Sequence, residues 1–88
     1  MALAPIQNYQ PRMGLASGAA ADTATAVTCC TGETIDTDDT LISVLHNTSG
    51  TIVDVTSEAS ISADGYIKLS TTDTSNDQLI VWFHDATI

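Results

Sequence analysis

The sequence predicts an all-β protein, a small antiparallel β-sandwich or jelly-roll-like barrel with an extended N-terminal arm. Three observations lead there. Beyond residue 24 the chain is rich in Thr, Val and Ile, which suit a pleated, half-buried surface. Its apolar runs are short and are divided by turn signals roughly every 8–12 residues, the spacing of a sandwich or small barrel. Both prolines, Pro5 and Pro11, fall before residue 24, where no alternating pattern is visible.

Residues 1–24 therefore read as the arm and residues 25–88 as the β domain. Pro5 and Pro11 oppose both a helix and a central strand. Ala19, Ala20 and Ala21 support a helical turn at most. The arm's apolar residues, Leu3, Ile6, Tyr9, Met13 and Leu15, are scattered like anchors along a groove. The first strand is expected at 25–31, followed by an acidic loop at 32–39. A second strand at 40–46 meets the turn Asn47-Thr48-Ser49-Gly50, where Asn and Gly tolerate positive φ. With a strand at 51–57 this makes a hairpin. A loop through Ala63, Asp64 and Gly65 leads to a strand at 66–70. The wholly polar stretch 71–77 reads as a loop, and 78–84 as the last strand. Thr51, Val53 and Val55 alternate with Ile52, Asp54 and Thr56, and Ile67 and Leu69 with Tyr66, Lys68 and Ser70, as in half-buried strands. Strands 40–46 and 78–84 are apolar on both faces, so something is expected to cover the outer one.

Composition narrows the function. Eleven acids against two bases, Arg12 and Lys68, give a formal charge of −9. Nucleic acid is excluded as a partner, because affinity for phosphates rests on Lys and Arg. An anionic membrane surface is excluded for the same reason, and no segment approaches the ~18 apolar residues of a membrane span. Cys29 and Cys30 are adjacent and have no second pair to build a zinc site. Neighbours on a strand point to opposite faces, so the two read as reduced thiols.

No catalytic or metal-ligating set emerges, and no cofactor is called for. There is no G-x-S-x-G elbow and no glycine-rich phosphate loop. Glu33 and Glu58, the only glutamates, are not placed as an acid–base pair. His46 and His84 stand at strand ends without the spacing of a zinc site. Asp36, Asp38 and Asp39 match a calcium loop only in composition, since the glycine and glutamate of an EF-hand are missing. The sequon Asn47-Thr48-Ser49 is accounted for by the turn. Trp82 and Phe83 must face opposite ways, one into the core and the other toward a partner. Arg12, the only base in the arm, is the natural anchor for a partner's carboxylate. The expected partner-binding set is Ile6, Tyr9, Pro11, Arg12, Met13 and Leu15.

Pro11, Arg12, Gly14 and Leu15, then Ala19–21, then LISVLHNTSG at 41–50, resemble the small head-decoration (cement) proteins of tailed bacteriophages. The resemblance implies a β-sandwich or jelly-roll-like body bound to the outside of the capsid. The chain lacks the Gly-Pro-Phe element of that family and is shorter. The partner implied is the major capsid protein, and the location is the outer surface of the virion, after synthesis in the host cytoplasm. A homo-oligomer, a trimer at three-fold sites, is implied by the same analogy. Other readings are a tail or fibre-base adaptor, or a carbohydrate- or calcium-binding β module.

Overall fold

The structure, a computed structural model, describes residues 11–29 and 34–85. Among them the chain forms seven strands, β1 (Pro11–Ser17), β2 (Thr25–Cys29), β3 (Thr40–Thr48), β4 (Thr51–Asp54), β5 (Ala59–Ala63), β6 (Tyr66–Leu69) and β7 (Gln78–His84). All pairings are antiparallel, in the order β4-β3-β7-β1-β2-β6-β5. The sheet curls into a half-barrel. The all-β antiparallel class expected from the sequence is thus observed.

The boundary expected at residue 24 is corrected. Residues 11–17 are not an arm outside the body but the middle strand of the sheet, held by β7 on one side and β2 on the other. Pro11 does not oppose this, because it takes the first position of the strand, where its missing N–H costs least. Of the expected anchors, Leu3, Ile6 and Tyr9 lie outside the described residues, as does Cys30.

Curling needs little volume at the centre of the concave side, and β1 supplies it. Gly14 and Ala16 are the buried positions of that strand. A Cβ at Gly14 would meet Val27 Cγ1 at 2.4 Å, so β1 and the Val27 side chain approach too closely for any larger residue. Around this gap close Val44 of β3, Leu79, Val81 and Phe83 of β7, Val27 of β2, and Ile67 and Leu69 of β6. Ile35, from the loop before β3, and Val55, after β4, fill the remaining space and are buried.

The expected hairpin is present, with β3 running to Thr48 and the turn at Ser49 (φ 51°) and Gly50 (φ 90°). Its second strand stops at Asp54. There the Asp54 carboxylate accepts Thr56 N–H at 2.9 Å and Thr56 Oγ at 2.6 Å, which turns the chain into a 3₁₀ turn, Thr56–Glu58. β5 occupies a stretch expected to be loop, pairing with β6 across the Asp64-Gly65 turn. The polar stretch 71–77 is a loop, but it is not simply solvated: Thr74 is buried. Its N–H and Oγ donate to the Ala19 carbonyl, both at 3.0 Å, and its Oγ accepts Ala19 N–H at 3.0 Å.

Glu58 ties this loop to the 3₁₀ turn. One oxygen accepts Thr72 Oγ at 2.6 Å, and the other accepts the N–H groups of Thr71 and Thr72 at 3.0 and 2.8 Å. Led by the Thr72 hydroxyl, these bonds hold the carboxyl at about 2, well below 4.5. A depressed carboxyl stabilises the fold above its unfolded pKa and ceases to as pH falls through the folded value. The melting temperature is therefore expected to drop between pH 4.5 and pH 2, and Glu58→Gln is expected to reduce that drop. A variant with the same pH profile as the parent would remove Glu58 from the account.

Candidate protein-binding face

Alternation sorts the strands into a buried concave face and an open convex one. In β1 the inward positions carry Arg12, Gly14 and Ala16, and the outward ones carry Met13 and Leu15. In β7 Leu79, Val81 and Phe83 point in, leaving Ile80 and Trp82 outside. Register brings the outward residues together. Met13 stands opposite Trp82, and Leu15 opposite Ile80, which on its other side faces Leu45 of β3. Cross-strand neighbours lie ~5 Å apart, so these five side chains form one apolar patch. Met13, Leu15 and Trp82 remain 39%, 42% and 39% exposed. Ile52 of the edge strand β4, 51% exposed, continues the face beyond Asn47.

The expected partner-binding residues separate here. Met13 and Leu15 are on the open face beside Trp82, the aromatic whose neighbour Phe83 takes the core. Pro11 is exposed at the end of the same strand. Arg12 is a correction. As an even-numbered position of β1 it turns to the concave side, with Nε 3.7 Å from the Asp85 carboxylate. Its side chain is 28% exposed and that of Asp85 only 5%. Arg12 thus neutralises a carboxylate of its own chain. Its replacement by alanine leaves Asp85 buried without that counter-charge, and is expected to cost about 2 kcal/mol, less than a fully buried pair because Arg12 is partly solvated. A melting temperature within a few degrees of the parent would argue against this role.

The other polar candidates are also occupied by the fold. His46 points into the concave side, its Nε2 2.7 Å from Asp77 Oδ2. His84 sits outward at the far end of the neighbouring strand, so the two histidines cannot share an ion. In the acidic loop the carboxylates accept backbone N–H groups: Asp36 from Asp38 at 3.1 Å, Asp39 from Asp36 at 3.0 Å, and Asp64 from Thr37 at 3.1 Å. Partial desolvation, opposed by the Asp38 N–H and aided by Asp39, Asp64 and Asp38, raises the Asp36 carboxyl above its ordinary value. These acids close a loop over Ile35.

Ile80 and Leu45 were visible in the sequence only as members of two-faced apolar strands. What they lacked there was a register. Comparison with protein-family models, curated proteins and solved structures found no match to the chain.

Proposed function

We propose that the chain is a structural virion protein that decorates and stabilises the outer surface of a bacteriophage capsid by binding major capsid protein subunits. The observation that supports it best is the open apolar patch of Met13, Leu15, Leu45, Ile80 and Trp82. Contiguous exposed apolar surface on a small domain marks a protein contact. Leu15 belongs to the segment that resembles the decoration proteins, so patch and resemblance fall on the same strand. The net charge of −9 suits a shell exterior better than the side facing packaged DNA. A protein that binds only the assembled shell raises the shell's stability by linkage.

Co-sedimentation with purified capsid shells of the phage that encodes the chain tests the proposal. Saturable binding and a higher disassembly temperature of the shells are the expected results. Absence of binding to the shells would end the proposal. Removal of the whole segment expected as an arm, residues 1–24, is not a usable variant, because it takes β1 from the middle of the sheet. Point substitutions on the convex face replace it.

A further inference from the structure

The apolar face carries a single acid, Asp54, which stands opposite Leu45 at its β4 edge; the other described acids lie beyond the strands. Of the eleven acids, Glu33 lies outside the described residues, and of the remaining ten only Asp54 is in a strand. The others gather at the two ends of the sheet. At the end where β1 begins are Asp36, Asp38 and Asp39, just before Thr40, which pairs with His84. The Asp64 turn joins them, since Gly65 N–H bonds the Ile35 carbonyl at 2.6 Å. At the opposite end are Asp73 and Asp77, before Gln78, which pairs with Ser17. Asp22 is there too, its N–H on the Leu69 carbonyl at 2.8 Å, but its carboxylate is matched by Lys68 Nζ at 3.2 Å. A seven-residue strand separates the two ends by roughly 23 Å.

We infer that this face takes a protein surface that presents an apolar, uncharged strip flanked by Lys or Arg about one strand length apart. The inference rests on the proposed capsid role and specifies the surface its partner must offer. Two arguments select this occupant. The patch of Met13, Leu15, Leu45, Ile80 and Trp82 spans only three strands ~4.8 Å apart, a small centre for an interface that takes about 20–30 residues a side. A contact of ordinary size built on this centre extends toward the acidic ends, and a basic rim complements them. A second copy fits badly. Stacked sheets align within about 30°, and because both ends are acidic, either alignment sets carboxylates against carboxylates. Complementary charge at the rim also steers the encounter and makes it sensitive to salt.

The test uses the full chain with capsid shells and reads the emission of Trp82, the only tryptophan. Binding is expected to protect Trp82 from acrylamide quenching. Raising NaCl from about 50 to 500 mM, across which screening tightens severalfold, is expected to weaken binding about tenfold. Leu15→Asp, an outward substitution, is expected to lower affinity at least tenfold while the melting curve and far-UV spectrum stay close to the parent's. Asp38→Asn combined with Asp73→Asn, both exposed and at opposite ends, is expected to reduce affinity and the salt dependence together. If the parent fails to bind shells, both the capsid role and this inference fall. If it binds with Trp82 unprotected, or with affinity indifferent to Leu15→Asp or to salt, the capsid role stands and this face is not the contact. A salt-resistant dimer in sedimentation velocity that Leu15→Asp dissolves would make the second copy the occupant and overturn the inference.

Discussion

Phe83→Ala is expected to destabilise the protein by about 4 kcal/mol, near the middle of the range for removing a buried aromatic side chain. Phe83 is fully buried, at the edge of the concave side where Leu41 pairs with it across β3. At about 4–8 °C per kcal/mol for a domain of this size, the melting temperature should fall by roughly 20 °C. Total stability for such a chain is only ~4–13 kcal/mol, so a sizeable unfolded fraction at 37 °C is expected. The informative control is one residue away. Trp82 faces outward, and Trp82→Ala should change the melting temperature by a few degrees while impairing shell binding. Thermal melts of the two variants, read beside co-sedimentation, separate core from contact. Equal melting losses would contradict the assignment of faces.

Gly18→Ala is the second large effect, and it comes from adding one methyl group rather than removing a ring. A Cβ there would stand 1.9 Å from the Thr74 carbonyl oxygen and 2.7 Å from Thr74 Oγ. Neither is the movable tip of a long side chain. Gly18 N–H donates to the Asp77 carbonyl at 2.8 Å, and the adjacent Ala19 is bonded to Thr74 through backbone and hydroxyl. Relief of the clash must pull the two loops apart and loosen these bonds. Overpacking typically costs about 1–3 kcal/mol, and each hydrogen bond lost adds about 1, so about 3 kcal/mol is expected. Gly50→Ala gives the contrast, since nothing lies within 4 Å of its Cβ site. Only its positive φ opposes alanine there, a cost of about 1 kcal/mol. Melting temperatures for the pair in the opposite order would sink this account.

The strands β6 and β7 were legible because large apolar side chains mark their buried positions, β3 because of its run of Leu, Ile and Val, and the β3–β4 turn because Asn47 and Gly50 tolerate positive φ. β1 was not, for a physical reason. Its buried positions hold Gly14 and Ala16 and its exposed ones Met13 and Leu15, so its alternation is inverted with respect to side-chain size. A pattern that equates large with inside reads such a strand as an arm. β5 was hidden similarly, because Ala59, Ser60, Ile61, Ser62 and Ala63 offer one large side chain in five. The open apolar face was half legible. Met13 and Leu15 stand out as apolar residues without a core to join, and they are on the open face. Arg12 reads as outward because a lone base in an acidic chain invites a partner. Which way it turns depends on the parity of β1, and nothing local announces that parity.

The position of β1 also dictates when the molecule can fold. Its longest edge, seven registered pairs, is against β7, and Leu15 and its partner Ile80 are 65 positions apart in the chain. Until β7 has left the ribosome, β1 lacks that neighbour and half of its hydrogen-bonding groups wait in water. Closing so distant a pairing is entropically slow, and folding in milliseconds to seconds follows for such topologies. During that interval the chain's apolar strands are exposed together. Its strong negative charge then keeps unfinished copies from one another.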